Sequence, residues 1–233
     1  MMNKKEKWSE EELNRLHKRF VARVFIVVPL LMVVIFLLAG RIDYWQGWGF
    51  GITFLAEKLV EVSNKELVVE RAHPGPGIPW WDKVFMAIDS LAFAIIVIGP
   101  LDTGRFYWSP PMPWYAYLIG YVLFISSIVL ALWAMRTNRF FSSFVRIQDD
   151  RGHQVIQTGP YRIVRHPGYL SVLLNYPGMV LVFGSLWCII PAVVLMVAIV
   201  VRTYLEDNFL QEELQGYAEY TKKVRKRLIP YVW

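Results

Sequence analysis

The sequence predicts an all-α, polytopic integral membrane protein, and three observations carry that prediction. Of its 233 residues 55% are hydrophobic and only 19% charged, against about 45–50% and about 25% in ordinary soluble domains. The apolar residues gather into runs long enough to span a bilayer, which takes about 20 of them. The 25 lysines and arginines, which leave a net charge of +6, flank those runs. The apolar content excludes disorder, and the lack of long charged heptads excludes a coiled coil. One cysteine, Cys188, excludes a disulfide scaffold or a cysteine-rich zinc site.

The first predicted span is Val24 to Gly40, with Lys18, Arg19 and Arg23 before it and Arg41 and Asp43 after it. Its long polar lead and the lack of a small-residue cleavage site set it apart from a secretory signal. A weaker second span runs from Tyr44 to Val60 and is spoiled by Glu57 and Lys58. Val84 to Pro100 is the third. Trp114 to Met135 is the fourth, opening after the breaker Pro110-Pro111-Met112-Pro113. The apolar run from Tyr169 to Val201 is too long for one helix and reads as a tight hairpin. It divides near Gly184-Ser185, with Pro191 early in the return helix. Six spans result.

With the N-terminus inside, every lysine and arginine except Arg41 and Arg105 falls in an inner segment. That is the positive-inside pattern of a protein with both termini in the cytoplasm. The net charge therefore reflects topology and contact with anionic lipids at the cytoplasmic face, and predicts no nucleic-acid partner. Residues 1–135 form an N-terminal membrane region of about four spans. Residues 136–233 form a second unit with a polar loop, the hairpin and a basic amphipathic tail.

Bulky polar residues cluster from Arg136 to His166 and after Arg202, the two segments that bracket the hairpin. Pro167 suits the first position of a helix, so the fifth helix begins near His166 with free N–H groups facing the cytoplasm. Such an end can hold a carboxylate or phosphate, although His166 could equally be no more than a helix cap. Arg202 and Glu206 lie four apart on one helix face, beside Asp207, which also fits a snorkelling arginine paired within its own helix. Lys222 to Arg227 reads as a solvated, lipid-facing basic run. Tyr107, Trp108, Trp114, Tyr115 and Tyr117 read as an interfacial aromatic belt. Asp89 is an ionisable group inside an apolar span, a functional candidate or a tether to Lys83. Ser126 and Ser127 read as helix-packing residues.

The segments His153-Gln154-Val155-Ile156, Thr158-Gly159-Pro160-Tyr161 and Arg165-His166-Pro167-Gly168-Tyr169 resemble the core of isoprenylcysteine carboxyl methyltransferases. Related phospholipid methyltransferases carry a looser version. Arg202-x-x-x-Glu206-Asp207-x-x-Leu210, then Tyr217, Tyr220, Val224 and Ile229-Pro230, resembles the same family's C-terminal signature. The resemblance implies an integral membrane methyltransferase that uses S-adenosylmethionine at the cytoplasmic membrane face. It implies that His153, Gln154, Val155, Ile156, Tyr161, His166, Pro167, Gly168 and Tyr169 contact the cofactor. Glu206 would take the cofactor's amino group, and Arg202 would bind the substrate carboxylate as the catalytic residue. No metal is implied.

A helix N-terminus suits the methionine carboxylate, an ionised Glu suits the ammonium, and the Tyr161 and Tyr169 rings could attract the sulfonium. A carboxylate acceptor is already ionised at neutral pH and needs positioning and desolvation, not a base. An amine acceptor must first lose a proton. The Arg202–Glu206 pairing therefore favours carboxyl O-methylation of an isoprenylcysteine-like lipid acid entering from the bilayer, over N-methylation of a phospholipid or lipid amine. Asp207 departs from the family's usual second Glu, Ser171 from its usual Gly, and Glu213 to Tyr217 from its Phe-Gly-x-x-Tyr spacing. Two further readings are a non-catalytic transporter or scaffold and, at low weight, a nicotinamide-dependent sterol reductase. The missing internal repeat argues against a transporter.

Overall fold

A computed structural model describes residues 9–62, 76–230 and 232–233. Lys4, Lys5, Lys7, Lys65 and Arg71, all assigned to inner segments, lie outside the described residues. Among the described residues the chain is helical throughout, without strands. Helix α1 (Glu10–Ala39) starts at a capping box. The Ser9 hydroxyl accepts the Glu12 N–H at 3.2 Å, and the Glu12 carboxylate accepts the Ser9 N–H at 3.0 Å. It ends at Gly40, whose φ of 69° is the left-handed C-terminal stop. Helix α2 (Trp45–Glu61) follows.

The third predicted span, Val84 to Pro100, lies within Trp80–Phe106, a segment long and apolar enough to cross a membrane. The segment starts earlier and is interrupted: α3 (Trp80–Asp89) stops at Ser90, and α4 (Ala92–Gly99) resumes after it. A π-helical stretch then runs over Pro100–Phe106. Pro100 has no N–H for an α-helical bond, and the wider turns of a π-helix accommodate it. Next come α5 (Trp114–Thr137), α6 (Pro167–Phe183), α7 (Ile189–Glu213) and the short α8 (Tyr217–Lys223). Helix α6 begins after His166 and stops at Gly184, as the proline and glycine signals predict. Four helical segments are long and apolar enough to cross a membrane: α1, Trp80–Phe106, α5 and α7. Helices α2 and α6 have 17 residues each.

The centre of the fold is the crossing of α5 and α6. A Cβ on Gly120 would come within 2.7 Å of Leu181 Cβ, and one on Gly178 within 2.9 Å of the Phe124 backbone N. Only glycine permits that approach, the usual device for tight packing in a membrane. Phe50, Phe124 and Phe183 fill the core beside it, with ring centroids 5.1–5.7 Å apart. Ser127 is buried there. It donates to the Phe124 carbonyl at 2.7 Å and accepts from Asn175 at 3.2 Å, a packing role.

The ends of the helices sort into two groups. Tyr44, Thr103 and the Phe183 carbonyl meet at one end, where Arg41 also donates to Tyr107 at 2.9 Å. His17 at the start of α1 contacts the Val62 carbonyl beyond α2, at the opposite end. Tyr107, Trp108, Trp114 and Tyr115 are exposed, in keeping with an interfacial belt, whereas Tyr117 is half-buried with its ring edge against Trp45.

Candidate functional site

The start of α6, the end of α7 and the loop between α5 and α6 meet around a cavity of about 290 Å³. All eleven residues singled out from sequence line it: His153, Gln154, Val155, Ile156, Tyr161, His166, Pro167, Gly168, Tyr169, Arg202 and Glu206. Residues 138–166 pass beneath these helix ends, and one buried amide is among the groups that shape them. Gln148 donates to the Phe140 carbonyl at 2.6 Å and accepts from Arg151 at 2.8 Å. Its backbone N–H donates to His153 Nδ1 at 3.3 Å. Accepting there fixes a neutral ring with its proton on Nε2. Burial, and then the charge of Arg146, hold the His153 pKa down at about 4, so His153 offers the cavity an uncharged N–H donor.

His166 stands at the N-cap of α6, but its ring does not cap the helix. Its Nε2 instead lies 3.1 Å from Asp207, within a cluster centred on that fully buried carboxylate. Arg165 binds Asp207 through Nε and Nη2, both at 2.7 Å. Arg227 donates to it at 2.8 Å and the Tyr217 hydroxyl at 3.0 Å. Burial opposes the charge of Arg165, but the bonds to Asp207 outweigh it and raise its pKa. Arg227 is therefore not part of a solvated basic run. Its backbone carbonyl accepts the His166 N–H, and that of Lys226 accepts the Arg165 N–H, both at 2.9 Å. The tail thus closes over the start of α6, because a buried carboxylate requires several donors.

With the His166 N–H taken and Pro167 lacking one, Gly168 and Tyr169 supply the free N–H groups of the first turn. A Cβ on Gly168 would come within 2.8 Å of Phe141, so the absence of a side chain there lets the Phe141 ring pack against the start of the helix. Glu206 faces this end from α7 and accepts the Tyr169 hydroxyl. Val155, Leu210, Leu214, Tyr217 and Tyr220 form an apolar wall. The donor set is therefore two backbone N–H groups and His153 Nε2–H, opposite one carboxylate and an apolar wall. That chemistry fits S-adenosylmethionine, which carries a carboxylate, an ammonium and a flat base.

Arg202 lies one helical turn, about 6 Å, further along α7 toward the bilayer. It is not paired with Glu206. Its carboxylate partner is Asp82 in the first turn of α3, at 2.7 Å from Nη2 and 2.9 Å from Nε. Its Cζ sits 5.4 Å from the Tyr169 ring centroid, and the His166 ring stacks on Tyr169 at 5.8 Å. Tyr169 thus already contacts a cation. Asp89 is not tethered to Lys83: it accepts the Tyr176 hydroxyl at 2.6 Å and lines the inner end of the cavity with Met86.

Sequence reading missed Asp82, Ser143 and Gln148. Asp82 had one visible signal, an acid at the mouth of an apolar run, but Lys83 beside it offered a simpler partner. Its true partner is 120 residues away.

Comparison with known proteins points to the same segment. The sequence model of the phospholipid methyltransferase family matches residues 115–216, from α5 to the end of α7. The likeness falls on the cavity. A probable protein-S-isoprenylcysteine O-methyltransferase of Oryza sativa subsp. indica, and its counterpart in subsp. japonica, are 30% identical over 122 residues. That match covers 51% of this chain and 63% of each rice protein. Protein-S-isoprenylcysteine O-methyltransferase B of Arabidopsis thaliana is 26% identical over 146 residues, covering 61% of this chain and 74% of that protein. The chain thus spans somewhat less than two thirds of the length of the rice relatives. Asp82 lies outside the family match.

Proposed function

We propose that the chain is an integral membrane methyltransferase that uses S-adenosylmethionine to esterify an isoprenylcysteine-like lipid carboxylate. One observation carries this reading: a single cavity joins the donor set at the start of α6 to Arg202, one turn deeper on α7. When bound, S-adenosylmethionine supplies an electrophilic methyl group. Gly168 and Tyr169 N–H groups and the helix dipole hold its carboxylate, Glu206 holds its ammonium, and Val155, Ile156 and Leu210 shield its apolar parts. Arg202 orients the acceptor oxygen, and no side chain needs to remove a proton.

Six crossings with both termini at the cytoplasmic face are supported by the two groups of helix ends and by Arg41 and Arg105 lying together at the far end. There Arg105 approaches Gly40, next to Arg41. Helices α2 and α6, about 26 Å long at 1.5 Å per residue, are close to the bilayer's roughly 30 Å core. A gap of about 10 Å³ between α3 and α7, lined by Phe85, Asp89, Leu195, Ala198, Ile199 and Arg202, marks where a lipid tail would enter from the bilayer if these two helices part.

A lipid amine is the second reading. Asp89 favours it, because a carboxylate at the inner end of the cavity would pair with an ammonium. The deciding experiment incubates purified protein in detergent with methyl-labelled S-adenosylmethionine and either N-acetyl farnesylcysteine or phosphatidylethanolamine. Base-labile label in the first product is expected. Label in phosphatidylethanolamine alone supports the amine reading, and absence of S-adenosylmethionine binding overturns both. Glu206→Ala should weaken cofactor binding about tenfold or more, as loss of a charged hydrogen bond does. Arg202→Ala should cut turnover and leave that affinity nearly intact.

A further inference from the structure

Arg202 does not face the cavity as a free guanidinium. Nε donates to Asp82 at 2.9 Å, and Nη2 donates to the Ser143 carbonyl at 2.8 Å and to Met86 Sδ at 3.9 Å while lying 2.7 Å from the same Asp82 oxygen. Three of the five N–H donors of an arginine are thereby used. Asp82 has no exposed surface, and its second oxygen accepts the Val145 N–H at 2.9 Å. One carboxylate thus ties α3, α7 and the loop below the cavity together. Among the described residues no partner is recorded for Nη1 of Arg202, a residue that lines the cavity.

We propose that Asp82 is a positioning residue, which limits Arg202 to a one-oxygen hold on the acceptor carboxylate. This rests on the carboxylate reading above. A free arginine binds a carboxylate through two parallel bonds, which occupy both oxygens and add strength. Asp82, Ser143 and Met86 remove that option: Asp82 takes the Nε hydrogen, and the two Nη2 hydrogens go to the Ser143 carbonyl and the Met86 sulfur, so no two-nitrogen fork remains. Nη1 takes one acceptor oxygen, and the other keeps its lone pair for attack. That lone pair forms the O–CH3 bond while the S–CH3 bond breaks and its electrons return to sulfur. A carboxylate and a sulfonium give a neutral ester and a neutral thioether, with no proton moved.

The charge of Asp82 also offsets that of Arg202, so the ground-state acceptor is not held more tightly than the transition state. Only the latter preference raises the rate. The arrangement is built before the acceptor arrives, because either charge buried alone would be costly.

The test uses the full chain in detergent with N-acetyl farnesylcysteine. Acceptor binding is measured by calorimetry with S-adenosylhomocysteine bound, so that no turnover occurs, and kcat is measured separately. Asp82→Asn removes the charge and leaves one amide oxygen where two carboxylate oxygens served Arg202 and the Val145 N–H, which loosens the Nε edge of Arg202. The acceptor is expected to bind severalfold more tightly while kcat falls about tenfold or more, with S-adenosylhomocysteine affinity unchanged. Asp82→Glu keeps the charge and the ion pair but shifts the carboxylate by one methylene, which covers the case in which Asp82→Asn fails to fold. It should lower kcat without weakening acceptor binding. A parallel loss of both in a folded variant, or no change in either, overturns the role of Asp82 alone. A wild-type chain that binds S-adenosylhomocysteine but neither binds nor methylates N-acetyl farnesylcysteine overturns the carboxylate reading, and the role of Asp82 with it.

Discussion

Asp207 has no exposed surface, yet it gathers two arginines, a histidine, a tyrosine and the Gln211 amide. Removing one member of a buried ion pair leaves the others uncompensated, at about 3–5 kcal/mol. Asp207→Ala should therefore lower the detergent thermal unfolding temperature far more than a surface change such as Glu219→Ala. An equal effect would show that the arginines find other partners. The conjunction Arg165-His166 with Asp207 was legible in the motifs as two halves of one signature. Their direct contact was not, because 41 or 42 residues separate them and local spacing says nothing about which helix ends meet. His153 gives a second test at this scale. Its native pKa of about 4 lies below the ordinary value of 6.5. Between those values the unfolded chain takes up a proton that the native chain excludes, so stability should fall as pH drops from 6.5 toward 4. Above 6.5 this contribution should be flat. Unfolding measured over that range should show a smaller slope in His153→Gln, and an unchanged slope would assign the dependence to another group.

Among the elements, those marked by strong local chemistry follow the sequence closely. Pro167 and Gly184 bound α6, Pro113 precedes α5, and Gly40 ends α1. The prolines fix φ and remove a donor, and the glycines take the left-handed turn that other residues resist, so local chemistry alone sets these ends. The run Trp80–Phe106 is where sequence reading fell short, since hydropathy registers apolar content and not the stop at Ser90 or the π-helical turns around Pro100. That interruption matters for the site, because α3 carries Asp82, Met86 and Asp89 to the cavity side. The glycines of α5 and α6 were also unread, as a lone Gly in a span signals a close approach only once its neighbour is known. Gly178→Val would push its new side chain against the Phe124 backbone. Overpacking of this kind costs about 1–3 kcal/mol, and it should lower the unfolding temperature accordingly. Gly77→Ala adds a Cβ with no atom within 4 Å, although its φ of 92° brings its own strain. Equal losses in the two variants would show that backbone strain, not helix contact, is what is measured.

Across the whole molecule, the distribution of charge and the position of the cavity make one statement about orientation. The cavity lies where α6 begins and α7 ends, the end at which nearly all basic residues were placed. Arg41 and Arg105 lie at the other. If the positive-inside rule governs this chain, the cavity opens to the cytoplasm, where S-adenosylmethionine is made, and the loop at Ile42 faces the far side. Cys188 is fully buried, which makes introduced cysteines clean reporters. Ile42 is 74% exposed and Glu219 is exposed on α8, so Ile42→Cys and Glu219→Cys place one reporter at each end. A membrane-impermeant maleimide added to intact cells should label Ile42→Cys, and should label Glu219→Cys only after the membrane is opened. The reverse pattern would turn the protein over. Labelling of both in intact cells would mean that the two ends are not on opposite sides, which would break the proposed six-crossing arrangement.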